Sequence, residues 1–250
     1  MSEYLFEYVI HLADNALILG HRNSEWCGHG PVLEQDIAIT NISLDLIGQA
    51  RNFFQYAAEI KGGNATEDSL AYLRDVREFR NCLLAEQQNG DWGKTIMRQF
   101  FMSNYQHLLY SELQHSSNTH IAAACEKALK EVTYHLKWSS EWVIRLGDGT
   151  DESHTRMINA IDELWTYTGE LFMPASYEIK AFEAGIAPDI STLKSEWENR
   201  VASVFDEAKL PLPPKGFSQT GGKQGMHTEY LGYILAEMQY LQRTYPASKW

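Results

Sequence analysis

The chain has 250 residues, 44% of them apolar, and 21 Lys and Arg against 33 Asp and Glu, a formal charge of −12. So acidic a balance, with no dense basic run, excludes a surface that tracks phosphates and disfavours docking on an anionic membrane. Three widely spaced cysteines, Cys27, Cys82 and Cys125, form neither a disulfide framework nor a Cys-x-x-Cys pair. The acidic start MSEYLFEYVIHLAD and the lack of a long uncharged apolar run argue against export or membrane insertion, and a cytoplasmic protein is expected.

Apolar residues recur at helical spacing along almost the whole chain, and no alternating run bounded by hairpin turns interrupts them. The expectation is an all-α chain forming one domain over 1–250. A first helix is predicted over 4–21, apolar nearly all round and therefore buried. NSEWCGHGP breaks it, and a second long helix is predicted over 33–60. KGGNATED makes a turn in which Thr66 is a suitable N-cap, followed by a shorter helix over 69–79. Two more long helices fit 94–115 and 119–146, the latter ending at GDGTD. Further helices fit 153–171, 174–184 and 191–208. The loop KLPLPPKGFSQTGGKQG leads into a last amphipathic helix with Leu231, Ile234, Leu235, Met238 and Leu241 on one side.

The four long helices carry polar residues at intervals that suit a carboxylate-bridged di-iron bundle, which draws one Glu from each of two helices and a Glu-x-x-His pair from each of the others. The candidate corners are Asp14, Asp45 with Gly48, Arg98, and Glu131 with Tyr134. Their spacings, 45 − 14 = 31 and 131 − 98 = 33, suit two successive antiparallel hairpins. The donor types do not suit iron. Gly48 and Tyr134 stand where the histidines belong, and Arg98 is a fixed cation at a carboxylate corner. The expectation is a vestigial site in which Arg98 pairs with Asp14, Asp45 and Glu131; the bland alternative is ordinary charge on solvated faces. His135, one turn after Glu131, offers a residual ligand, so a degenerate metal-binding oxidoreductase using Glu131 and His135 is the rival reading. A lone histidine on a core stripe is more often hydrogen-bonded structure.

Other motifs are weak. GFSQTGGKQG fails as a phosphate-binding loop because Gly222 occupies the lysine position and no strand precedes it. It reads as a turn into a helix, with Gly221, Gly222, Lys223, His227 and Glu229 as a speculative docking loop for a partner. His21, Cys27 and His29 lack the second ligand pair of a zinc site. There is no Gly-x-Ser-x-Gly elbow. Lys127, Lys130 and Lys137 on one helix are the nearest approach to a basic surface.

Three long stretches are more specific. EWCGHGPVLEQDIAITNISLDLIGQARNF, KEVTYHLKWSSEWVIRLGDGT and GGKQGMHTEYLGYILAEMQYLQRTYP, spread over almost the full length, resemble the C-subunit family of the bacterial phenylacetyl-CoA oxygenase, the 1,2-phenylacetyl-CoA epoxidase. The resemblance implies a ferritin-like helical bundle with additional C-terminal helices, acting as a non-catalytic structural subunit. It implies pairing with a homologous catalytic subunit that carries the di-iron centre and the acyl-CoA. Further subunits, including an iron–sulfur flavin reductase, complete an assembly that epoxidises the aromatic ring with O₂ and NADPH. No catalytic or metal-binding residue, and no cofactor, is carried over to this chain. A free-standing binding module is the third reading.

Overall fold

The computed structural model describes residues 3–214, 216–246 and 248. Among them every regular element is helical. Helix α1 (Glu3–Ser24) is apolar on nearly all sides, and residues 8–20 are buried without a break, as the sequence pattern requires. Asp36 closes the following turn by accepting from the backbone N–H of Gly28 (3.1 Å) and Gly30 (2.8 Å). Gly30 has no room for a side chain, because a Cβ would lie 2.7 Å from Asp36 Cα. Helix α2 (Leu33–Lys61) then returns antiparallel to α1.

Thr66 caps α3 (Glu67–Tyr72) as expected, exchanging bonds with Ser69 in a capping box. That helix is shorter than predicted. The chain leaves it at Leu73 because the Arg74 side chain turns inward, and only a 3₁₀ turn over Val76–Glu78 follows. After the single turn α4 (Leu83–Glu86), the helices α5 (Trp92–Leu113) and α6 (Thr119–Gly147) make the second hairpin, capped at their N-termini by Asp91 and Asn118. Gln35 pairs with Trp138, Gln49 with Glu131 and Tyr56 with Asn118, so α2 and α6 also run antiparallel. Bonds from Asn23 to Gln99 and from Trp26 to Thr95 tie the end of α1 to the start of α5. The two hairpins thus form a four-helix bundle. Burying residues such as Ile39, Ile42 and Leu46 (all 0% exposed) contributes about 1.5–3 kcal/mol each.

The helical turns after α6 brace this bundle. Helix α7 (Asp151–Leu164) packs on α5 and ends seven residues before the predicted boundary, giving way to two 3₁₀ turns over Trp165–Tyr167 and Gly169–Phe172. A Cβ at Gly169 would strike the Ser218 side chain, so that segment is shaped by the later loop lying against it. Helix α8 (Ser176–Glu183) crosses α1, and α9 (Lys194–Glu207) lies on α5 and α6, where Trp197, Phe101, Phe172 and Phe205 form an aromatic cluster. Helices α10 (Glu229–Met238) and α11 (Tyr240–Thr244) close the chain over the 74–86 region. No helix among the described residues is long and apolar enough to cross a membrane.

Candidate functional site

The helices that carry two of the predicted corners meet at a seam, where Asp45 and Glu131 each bond a neighbouring side chain and not each other. Asp45 lies where α2 faces α6, its side chain 38% exposed, and its Oδ2 accepts from His135 Nε2 at 3.1 Å. One turn further, Gln49 Nε2 donates to Glu131 Oε2 at 2.9 Å. Glu131 is only partly buried, Gly48 has open space around it, and Tyr134 is 47% exposed and turned outward. The His135 ring is fully buried, and its Nδ1 has no hydrogen-bond partner. That face is the rim between two helices and not the middle of the bundle, and it unites neither Asp14 with Asp45 nor Arg98 with Glu131, the pairs whose spacing suggested a shared site.

The other two corners lie elsewhere. Asp14 on α1 is completely buried, and its carboxylate is held by Arg74 in a two-pronged ion pair and by the Arg80 backbone N–H (2.8 Å). Arg74 also lies over the Phe79 ring, 4.1 Å from its centroid. The expected network around Arg98 is therefore corrected. Arg98 is 0% exposed yet bonds only neutral oxygens, those of Gln87, Asn23 (3.2 Å) and Asn89. Burial, with Arg22 nearby adding to it, pushes its guanidinium down to about 9, still charged at neutral pH. Arg98 sits too near the start of α5 to reach the seam, since its partners belong to the end of α1 and the loop before α5.

The interior level with the seam is filled by other chemistry. Phe53 of α2 packs on Tyr110 of α5 with ring centroids 6.4 Å apart, and Tyr8, Tyr105 and Cys125 are buried within the bundle. Burial pushes all three phenols and the Cys125 thiol well up, which keeps them neutral. A carboxylate-bridged iron pair needs four carboxylates and two imidazoles converging from four helices. Here Asp14 is neutralised by Arg74, Glu131 is bonded by an amide, and the lone imidazole faces Asp45. Among the described residues no three His, Cys, Asp or Glu side chains are grouped to share an ion. This donor set does not fit a di-iron centre.

The glycine-rich loop requires a second correction. Gly221, Gly222 and Lys223 are buried, and the His227 side chain is 0% exposed, so these four cannot present a docking surface; only Glu229 is exposed. A Cβ at Gly222 would sit 2.4 Å from the Asn81 carbonyl, which is why a residue without a side chain lies there. Lys223 Nζ donates to both oxygens of Glu178 (3.0 and 3.2 Å) and to the carbonyls of Leu171 and Met173. Glu170 accepts from the N–H groups of Leu83 (2.7 Å) and Gly221 (2.8 Å), and burial raises its carboxyl above the usual range. Glu86 accepts from His227, Thr228 and Asn81. His11 donates through Nδ1 to the Arg80 carbonyl (2.7 Å), with Glu178 3.6 Å from its other nitrogen; burial, the largest influence, lowers it below 6.5.

These residues carry little signal in the sequence. A lysine among glycines ordinarily marks a solvated turn, Arg74 and Glu86 come from short pieces without a periodic pattern, and Glu170 and Glu178 sit in or beside predicted helices where an acid ordinarily marks a solvated face. What the sequence does offer is Asp14 alone within a helix apolar on nearly all sides, a carboxylate that cannot be buried without a counter-charge from elsewhere in the chain.

Residues 1–250 match the protein family described as phenylacetic acid catabolic protein. The chain is also 49% identical over 246 residues to the C-subunit of the 1,2-phenylacetyl-CoA epoxidase of Escherichia coli K12, an alignment that covers 98% of this chain and 99% of that protein.

Proposed function

Because the chain belongs to the phenylacetic acid catabolic protein family, we propose that it is a structural, non-catalytic subunit of a cytoplasmic phenylacetyl-CoA epoxidase. In this reading it pairs with and stabilises a homologous catalytic subunit. That partner holds the di-iron centre and the acyl-CoA, and a reductase supplies electrons. One observation carries the reading: every carboxylate and imidazole at the would-be corners is engaged by a protein group, Asp14 by Arg74, Glu131 by Gln49 and Asp45 by His135. Iron would have to displace a buried guanidinium from Asp14, and nothing within the bundle would then neutralise that cation. The likeness to one subunit of an epoxidase supports the substrate class and the existence of companion subunits.

The rival oxidoreductase, with metal on Glu131 and His135, has no geometric support. The Nε2 of His135 is directed at Asp45 and Glu131 at Gln49. The test is to purify the chain alone and together with the catalytic subunit, measuring iron per chain and turnover of phenylacetyl-CoA with reductase and NADPH. Iron and turnover are expected only when the catalytic subunit is present. Stoichiometric iron and turnover by the isolated chain would overturn the proposal.

A further inference from the structure

Helices α5, α6 and α9 meet around a cleft whose floor carries an unanswered polar group. Phe100 and Asn104 on α5, Leu136 and Ser140 on α6, and Arg200 and Val204 on α9 are each one turn apart, so each helix turns a pair of side chains toward the same space. The cleft they line measures about 260 Å³. At a water's share of roughly 30 Å³ it has room for about nine non-hydrogen atoms, which is less than a drug-sized ligand needs.

Asn104 is the informative member. It stands near the middle of a 22-residue helix, where asparagine is a poor former, and it is 0% exposed. Neither its Oδ1 nor its Nδ2 has a hydrogen-bond partner. The other buried asparagines among the described residues are answered: Asn15 accepts from the Cys82 N–H, Asn23 donates to Gln99 and Asn81 donates to Glu86. A buried carboxamide open at both ends is destabilising, since each end has left water without a replacement. Ordered water is a poor remedy, because it needs several polar partners and Phe100, Leu136 and Val204 make the facing walls apolar.

Charge and donor pattern narrow the ligand. Arg200 Nε donates to Glu196 (2.8 Å) and its Nη1 to His107 Nδ1 (3.3 Å), so the guanidinium already has a carboxylate. Burial, with Arg200 adding to it, holds His107 below 6.5 and neutral at pH 7. A carboxylate ligand would set its charge against the Asn104 carbonyl oxygen, a cation would meet Arg200, and a hydrocarbon would leave both ends of Asn104 open. A carboxamide has a donor and an acceptor on one edge, the reverse of what Asn104 presents.

We propose that this cleft binds a small uncharged amide, whose N–H and C=O pair with the Asn104 carboxamide while its apolar body lies on Phe100, Leu136 and Val204. The site is independent of the subunit reading above. Because α9 packs on α5 and α6 around it, a bound amide ties α9 to the bundle.

The test is titration of the full-length chain with benzamide, followed by ligand-detected NMR and by the Tm. Binding in the millimolar range and a rise in Tm with benzamide concentration are expected. Benzoate, of the same shape but anionic, and toluene, with the ring but no amide, should each bind roughly 10-fold more weakly or worse. Asn104→Leu, close in volume, should weaken benzamide by about 10-fold or more, since both hydrogen bonds go. Ser203→Phe, at an exposed position on the rim of the cleft, should fold like the wild type and block the ligand, so the result stands even if Asn104→Leu is poorly folded. Equal affinity for benzoate, or undiminished binding by folded Asn104→Leu or by Ser203→Phe, would overturn the proposal. So would a wild-type chain that took up no benzamide, which would leave ordered water as the partner of Asn104.

Discussion

Along the α2–α6 seam, Asp45 and Glu131 stand partly in water, one facing an imidazole and the other an amide. Beneath α1, the carboxylates of Asp14, Glu86 and Glu178 are at most 3% exposed, and each meets a cation or several donors supplied by a loop. Asp14, like Asp45 and Glu131, stands near the middle of a long helix, so position in the sequence does not separate the two regions. Solvent does: at the seam a charge is hydrated whether or not its partner is present, whereas under α1 the partner is the only solvation available. The strongly coupled charges of this chain therefore belong to the attachment of its irregular segments to the bundle, and the weakly coupled ones, Asp45 and Glu131, lie at two of the expected vestigial corners.

The contrast is broken most directly at Arg74. Arg74→Met leaves Asp14 buried with only the Arg80 N–H, and a loss of about 3–5 kcal/mol is expected from urea unfolding. A loss under about 1 kcal/mol would show that the region under α1 admits water. Lys223→Met, which strips Glu178 of its counter-charge, is expected to fall in the same range. Arg98→Met should cost less, about 1–3 kcal/mol, because it orphans neutral oxygens of Gln87, Asn23 and Asn89 and removes a buried charge at the same time. A loss equal to that of Arg74→Met would mean that Arg98 has an anionic partner after all.

Acid should act on the same region. The fold holds His11 below 6.5, chiefly by burial, so it keeps the neutral ring. Unfolded chains take up a proton there as pH drops through about 6.5 and thus bind more protons than folded ones, so stability falls from pH 7 toward pH 5. Glu170 works against this, since its raised value makes the folded state the better proton acceptor as pH approaches the carboxylate range. Comparing urea midpoints at the two pH values for wild type and His11→Gln isolates the histidine: the variant should show the smaller drop. An unchanged drop would assign the sensitivity to another group. The smallest effects belong to the seam, where Asp45→Asn and Glu131→Gln should each shift stability by at most about 1 kcal/mol. A loss of several kcal/mol from either would make the seam as dry as the region beneath α1.

The long helices were legible because burial of one face imposes a 3.6-residue period over many turns, and α1, α2, α5 and α6 each fall within a few residues of expectation. The shorter pieces were less legible. The helix predicted over 69–79 stops at Tyr72 because Arg74 is drawn to Asp14, a tertiary pairing between residues sixty positions apart that no local pattern encodes. The corners were half legible for a related reason. Spacing places Asp45 and His135 on facing helices, but the same spacing serves the centre or the rim, and rotation of each helix about its axis is decided by the packing of all its neighbours.

Glu86, Glu170 and Glu178 come from different segments, yet all three are completed by residues 221–228. During synthesis the bundle helices through residue 147 leave the ribosome first, and at roughly 5–20 residues per second the closing loop follows several seconds later. Until then these acids have no internal donors on that side and must stay hydrated, which keeps the ground beneath α1 open. The C-terminal segment therefore acts as a latch on a nascent chain, and a transcript truncated before residue 221 is expected to yield a product that chaperones retain and proteases clear.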